Sequence, residues 1–236
     1  MPTAGIKQLA EDFIGLFFPK LCAACHGHLL RHEEALCTSC LLELPRTNDE
    51  HDPLENPVAR VFWGRIKLQA AASCFVFIKG GHVQELVHQL KYNGRQDAGI
   101  AAGKLFGSDL KSLTPFNTAQ AVVPVPLHRD KLRKRGYNQA ACFAEGLAAA
   151  MNIPHYPDGM LRLSATESQT KKNRTERWDN VEDVFTINVK EQLAGKHILL
   201  VDDVITTGAT IEACAAPLLA MEGTSVSVIS LASARN

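Results

Sequence analysis

Hydrophobic positions follow two alternating patterns along the chain, and these predict alternating strands and helices. Residues 70 to 78 form a nearly continuous apolar run and predict a buried strand, whereas Val83, Leu86 and Leu90 recur at helical spacing. The alternation continues, with strands predicted over 121–125, 197–201 and 224–232, and helices predicted from about Asp97, from the N-cap Asn138 and over 209–222. This order favours a parallel α/β sheet, which binds ligands beyond the carboxyl ends of its strands.

The first part of the chain follows a different pattern. Apolar residues from Ile6 to Phe17 recur at helical spacing, and Pro19 ends that run. Residues 43 to 57 contain three prolines and several acids with little periodicity, which is typical of a connector. We therefore predict two domains, a helix with a cysteine module over residues 1–50 and an α/β domain over residues 58–236.

Composition narrows the function classes. The chain of 236 residues has 25 basic and 25 acidic side chains and is 46% hydrophobic, which suits a globular protein of one or two domains. Zero net charge gives no global attraction to nucleic acid, although local basic patches remain. No apolar run reaches the roughly 18 to 20 residues of a membrane span, and no basic leader with a cleavage site is recognisable. We expect a cytoplasmic protein without membrane insertion.

Four of the seven cysteines form two Cys-x-x-Cys pairs, separated by eleven residues. The pairs are Cys22 with Cys25 and Cys37 with Cys40. Two such turns supply the four thiolates that tetrahedral zinc prefers, while a disulfide cluster fits poorly with a cytoplasmic chain. We predict a structural zinc site, because so short a segment buries too little apolar area to fold alone.

The most informative segment follows the strand predicted over 197–201. Asp202 and Asp203 come first, and a small turn rich in hydroxyl groups then opens a helix. The carboxylates can accept hydrogen bonds from two vicinal sugar hydroxyls, and the turn can offer backbone amides to a phosphate. The predicted ligand residues are Asp202, Asp203, Thr206, Thr207, Gly208, Ala209 and Thr210. A Thr-Gly turn alone would indicate only an ordinary capped helix.

Val-Asp-Asp-Val-Ile-Thr-Thr-Gly-Ala-Thr, at 201–210, resembles the phosphoribosyl pyrophosphate (PRPP) signature of the type I phosphoribosyltransferases. The cysteine pairs and several further motifs resemble the ComF family of competence proteins. Those motifs are Lys91-Tyr92-Asn93-Gly94-Arg95, Val123-Pro124-Val125-Pro126-Leu127, Arg135-Gly136-Tyr137-Asn138-Gln139 and Gln169-Thr170 with Arg177 and Asn180. The resemblance implies a phosphoribosyltransferase-like fold after an N-terminal zinc ribbon, and a role in handling incoming single-stranded DNA during natural transformation.

Cations flank these motifs and suit a polyanion. In enzymes of this type a loop after an early strand holds pyrophosphate, and here 128–136 contains five cations. The candidate residues for pyrophosphate or another polyanion are Lys91, Arg95, Arg129, Arg133, Lys134 and Arg135. A solvated basic turn is the alternative, and it stays open. A second basic run, 171–177, resembles the mobile loop that closes over substrate in those enzymes.

Three functions remain compatible with the sequence. The first is a PRPP-binding protein of DNA uptake, with competence helicases or recombination proteins as partners. The second is a phosphoribosyltransferase with an unidentified acceptor, in which PRPP recruits magnesium with support from Asp202 and Asp203. The third is a zinc-stapled scaffold whose phosphate loop is a relic. The resemblance also implies that Thr206 stands where hypoxanthine and guanine enzymes have an acid, and we assign no catalytic residue.

Overall fold

A four-stranded parallel sheet forms the centre of the computed structural model, which describes residues 19–163 and 184–234. Its strands are β1 (Ala70–Phe77), β2 (Ala121–Pro124), β5 (His197–Ile205) and β6 (Ser225–Ala234), and an antiparallel pair is formed by β3 (Met160–Leu163) and β4 (Val184–Ile187). The order across the main sheet is β1-β6-β5-β2, and all neighbours are parallel. The predicted parallel α/β fold is confirmed.

Helices follow the strands, as the alternation predicts. In the described part of the chain they are α1 (Thr38–Glu43), α2 (Pro57–Arg60), α3 (His82–Tyr92), α4 (Gln96–Leu110), α5 (Arg129–Arg135), α6 (Gln139–Met151), α7 (Lys190–Leu193) and α8 (Ala209–Leu219). Asn138 caps α6 as predicted, because its side chain accepts a hydrogen bond from the amide of Ala140 at 3.1 Å.

Two predicted boundaries differ most from the observed ones. The strand expected to end at residue 201 continues to Ile205, since pairing with β6 extends through Asp202 and Val204. The helix expected to reach residue 222 ends at Leu219, two residues after Pro217. Proline has no amide hydrogen to donate, so it weakens the last turn.

Side chains of β5 point alternately to the two faces of the sheet, and each face belongs to a different hydrophobic core. Leu199 and Val201 pack with residues of α4 and α6 on one face of the sheet, whereas Ile198 and Leu200 pack with α8 on the other. The first five residues of β5 are buried, whereas residues 202–204 near its carboxyl end are partly exposed to solvent. That edge is the ligand-binding edge of open parallel sheets.

The segment predicted as a connector packs along the outer edge of β1. The amides of Ala71 and Val76 donate to the carbonyls of Pro53 and Pro45, each at 2.8 Å. Asn56 is buried, and its side chain donates to the carbonyl of Ala71 at 2.6 Å. These bonds satisfy the edge strand, which would otherwise expose unpaired backbone groups. The domain boundary placed in this segment stays a prediction.

Two sequence-based predictions fall outside the described residues. These are the helix predicted from Ile6 to Phe17 and the substrate-closing loop predicted over 171–177. Within 19–163 and 184–234, no helix has both the length and the hydropathy that a membrane span requires.

Helices α4 and α6 approach closely through glycines. A Cβ atom on Gly103 would lie 2.2 Å from the carbonyl oxygen of Phe143, and one on Gly146 would lie 2.1 Å from that of Ile100. We therefore expect Gly103→Ala to destabilise the protein by about 2 kcal/mol or more through overpacking. The higher helix propensity of alanine would by itself stabilise the helix by about 1 kcal/mol, which is less than the cost of overpacking. Denaturant unfolding measures the change, with the exposed Ala149→Ser as a control, and a stabilised Gly103→Ala protein would contradict this packing.

Candidate functional site

The two predicted acids lie at the carboxyl end of β5. Val201 is fully buried, and Asp202 and Asp203 follow it directly. The Oδ1 atom of Asp202 accepts a hydrogen bond from the amide of Asp203 at 2.8 Å, and Oδ1 of Asp203 accepts one from Val204 at 2.7 Å. These local bonds hold both carboxylates against the end of the strand.

Lys91 is the counter-ion of this pair. It lies in the last turn of α3, and its Nζ atom is 2.8 Å from Oδ2 of Asp203. Both side chains are mostly buried, with exposed fractions of 21% and 17%, so the pair is screened less than a surface ion pair. The hydroxyl of Tyr137 donates to the carbonyl of Leu90 next to Lys91. Two separate sequence motifs therefore meet beside Asp203.

Asp202 ionises in an unusual range. Burial, together with the adjacent Asp203 carboxylate, raises the pKa of Asp202 to about 7, although the amide of Asp203 and the charge of Lys91 act in the opposite direction. A hydrogen-bond donor or a divalent cation at this carboxylate would favour its ionised form. The site therefore suits a ligand that brings hydroxyl groups or a metal ion.

The turn after β5 combines a left-handed glycine with exposed hydroxyl groups. Gly208 adopts the left-handed φ of +74°, and α8 begins at the next residue. Thr206, Thr207 and Thr210 are exposed. Among the described residues, no side chain caps the first amides of α8. Helix N-termini of this kind attract anions through their free amides and their dipole.

The loop after β2 lies next to these acids. The amide of Val125 donates to the carbonyl of Val201 at 2.7 Å, and the side-chain amide of Asn138 donates to the carbonyl of Val125 at 2.9 Å. The chain then enters α5, so the basic segment predicted as a loop is a helix of seven residues. It was missed because none of its residues is buried, which leaves no apolar period.

The candidate cations on α5 differ in their surroundings. Arg129, Arg133 and Lys134 are exposed, and Arg133 lies 3.6 Å from the carboxylate of Asp130. Arg135 is half-buried, donates to Oε1 of Gln139 at 2.7 Å, and lies 5.5 Å from the ring centre of Tyr92. The exposed three form an open basic surface, while Arg135 packs beside the residue that follows Lys91.

Arg95 turns towards the cysteine module instead. Its guanidinium donates to the carbonyl of Leu21 at 2.8 Å, to the carbonyl of Ala35 at 3.4 Å and to Asp97. These contacts attach Arg95 to the cysteine module, so we do not assign it to the anion site.

The four predicted cysteines come together in one cluster. The sulfur atoms of Cys22, Cys25, Cys37 and Cys40 all lie within 4.8 Å of one another, and the Cys25–Cys37 distance is 3.7 Å. Four thiolates around zinc at about 2.3 Å would be separated by similar distances. Although burial raises it, the pKa of Cys22 falls to about 7 because several backbone amides donate towards its sulfur. The cluster can bind a metal such as zinc.

Sequence reasoning missed one group of residues at the phosphate turn. Arg65 donates a hydrogen bond to the carbonyl of Thr207 at 2.8 Å and forms an ion pair with Glu212. Phe62 and Val61 pack against Gly208. These contacts join residues more than 140 positions apart, and no motif indicates them.

Comparison with known proteins agrees with this geometry. Residues 138–236 match the family model of the phosphoribosyl transferase domain. Competence protein ComFC of Bacillus subtilis strain 168 is 30% identical over 202 residues, covering 81% of this chain and 80% of that protein. Competence protein F of Haemophilus influenzae is 26% identical over 203 residues, covering 83% and 89%. The DNA utilization protein YhgH of Escherichia coli strain K12 is 26% identical over 226 residues, covering 93% and 92%.

These relatives match along most of their length, and the matched region includes both the cysteine cluster and the carboxyl end of β5. The parallel sheet and the phosphoribosyl transferase domain agree with the same assignment. The chain therefore belongs to the ComF family of competence proteins.

Proposed function

We propose that the protein binds PRPP, or a related ribose 5-phosphate, at the end of β5, and that it handles incoming single-stranded DNA during natural transformation. The observation that carries the ligand proposal is the position of Asp202 and Asp203 at the end of β5, just before a turn that opens α8 without a side-chain cap. The carboxylates would accept hydrogen bonds from the ribose hydroxyls, and the amides of 208–210 would bind the 5-phosphate. The names of the relatives, competence and DNA utilization, support the cellular role.

The pyrophosphate end of PRPP needs cations. Lys91 is already at the acids, and Arg135 lies next to Tyr92. Magnesium prefers oxygen ligands and retains several waters, so PRPP would bring most of its ligands. Asp202 and Asp203 supply further oxygen atoms at the same place. The residues present therefore fit a magnesium complex of PRPP.

A second candidate function is phosphoribosyl transfer to an unidentified acceptor. The match to the phosphoribosyl transferase domain favours it, together with the paired acids and the phosphate turn. This reaction breaks the bond between the anomeric carbon and pyrophosphate, with positive charge developing on the ribose. Asp202 and Asp203 could stabilise that charge, and bound cations would stabilise the leaving pyrophosphate. Pyrophosphate release that depends on an added acceptor would support this function over binding alone.

Replacing both acids tests the PRPP proposal. We expect Asp202→Asn/Asp203→Asn to weaken binding of magnesium PRPP by about a hundredfold or more, because two hydrogen bonds to charged groups are lost and each is worth about 1.5–3 kcal/mol. Calorimetric titration of the metal-replete protein measures the affinity. The exposed acid Asp158 provides the control Asp158→Asn, which should bind like the wild type. Failure of the wild type to bind would overturn the proposal and favour the scaffold function.

Neutralising α5 tests direct DNA binding. We expect Arg129→Gln/Arg133→Gln/Lys134→Gln to reduce the salt dependence of single-stranded DNA binding by about 2 units of slope, since each phosphate contact contributes about 0.7. Fluorescence anisotropy at several salt concentrations measures that slope. Lys104→Gln/Lys111→Gln, which changes one cation of α4 and the cation that caps its C-terminus, serves as the charge control. Equal slopes for wild type and the α5 variant would exclude this helix from the DNA contact.

The cysteine cluster is proposed to hold one structural zinc ion. The short module has few buried apolar residues of its own, so the metal would supply much of its folding free energy. We expect about one zinc per chain. A strong chelator should increase hydrogen exchange of residues 19–44 and lower the melting temperature. Cys25→Ser should lose the metal, whereas Cys142→Ser, outside the cluster, should retain it. Unchanged exchange in metal-free protein would contradict a structural role.

A further inference from the structure

We propose that Arg65 is a positioning residue that holds the 206–210 turn in the conformation that binds a phosphate group. Arg65 lies between α2 and β1, in a segment that sequence analysis did not connect with ligand binding. This inference rests on the proposed function, since it concerns the 5-phosphate end of the same ligand. Three independent contacts support it.

The first contact fixes a peptide group. Nη1 of Arg65 donates to the carbonyl of Thr207 at 2.8 Å and to the carbonyl of Val61 at 3.1 Å. The carbonyl of Thr207 and the amide of Gly208 belong to one planar trans peptide, so they point in opposite directions. By directing the carbonyl towards its guanidinium, Arg65 directs the Gly208 amide to the other side of the turn. That side is where we expect the phosphate group to bind.

The second contact leaves no space for a side chain at residue 208. A Cβ atom at this residue would lie 2.7 Å from Cε1 of Phe62 and 2.7 Å from Cγ1 of Val61. Phe62 is 1% exposed and belongs to the core beneath the turn. The segment that carries Arg65 thus packs directly on the residue whose left-handed φ opens α8.

The third contact concerns charge. Glu212 lies in the first turn of α8, where its carboxylate is close to the expected phosphate and would repel it. Nη2 of Arg65 forms an ion pair with this carboxylate. Arg65 therefore neutralises an acid at the helix N-terminus while it orients the turn. A lysine would keep the charge, but its single ammonium group could not reproduce the forked geometry.

Binding of two probes separates this role from a general loss of structure. We expect Arg65→Gln to weaken ribose 5-phosphate binding about tenfold, because the Gly208 amide is no longer oriented and Glu212 is no longer neutralised. Arg65→Lys should recover part of the affinity. Magnesium pyrophosphate, which lacks the 5-phosphate, should bind both variants and the wild type equally. Arg60→Gln is the matched control, because Arg60 donates to the carbonyl of Glu55 and packs on Trp63.

Hydrogen exchange provides a readout that needs no ligand. Arg65→Gln should speed exchange of the Glu212 amide, which donates to the carbonyl of Gly208 at 2.9 Å, whereas Arg60→Gln should not. If the wild type binds ribose 5-phosphate and Arg65→Gln binds it equally well, the inference is wrong while the proposed function stands. If the wild type binds neither probe, the proposed function fails, and unchanged exchange in Arg65→Gln would then overturn the positioning role as well. Equal weakening of both probes would also overturn it, since that result indicates general destabilisation.

Discussion

The requirement that most shapes this protein is a counter-charge for two adjacent carboxylates. Asp202 and Asp203 follow a strand that is buried on both faces, and burial together with the neighbouring Asp203 carboxylate raises the pKa of Asp202. Lys91 meets this need from the last turn of α3. The position of α3 therefore decides whether Lys91 can pair with Asp203. The contacts that hold α3 in place thus also support the candidate site.

Those contacts lead to the cysteine module. Nε2 of His26 lies 3.0 Å from the carboxylate of Glu85 on α3, and Arg95, at the turn after α3, donates to two carbonyls of the module. The module thus contacts the helix of Lys91 at one end and the turn that follows it at the other. A metal ion that holds the four cysteines together would stabilise this helix from outside the sheet. This physical connection gives a structural zinc site a function beyond the folding of its own segment.

Sequence reasoning succeeded where a pattern is local. The apolar run of β1, the helical spacing of α3 and the cap at Asn138 each depend on residues close together in the chain, and the cysteine pairs do as well. It failed where long-range contacts decide the structure. The pairing of β3 with β4 joins two four-residue strands separated by a long segment, and Arg65 contacts a turn more than 140 residues away. Arg95 belongs to a basic motif, yet its backbone acceptors lie in the cysteine module.

The proposed function involves two anions, PRPP and single-stranded DNA, which require different kinds of binding surface. The candidate surfaces for them lie in different parts of the structure. PRPP carries its charges on groups at a fixed spacing, so it needs a turn whose amides are oriented before binding. Under the proposed function, the Gly208 turn, packed on Phe62 and held by Arg65, would be such a site. Single-stranded DNA repeats its charge along a flexible chain and needs an open basic surface with little shape. The exposed face of α5 has that character, and it follows the β2 loop that bonds to Val201 directly before the acids. A ribose phosphate bound at the acids would therefore place negative charge beside the loop that leads into this helix.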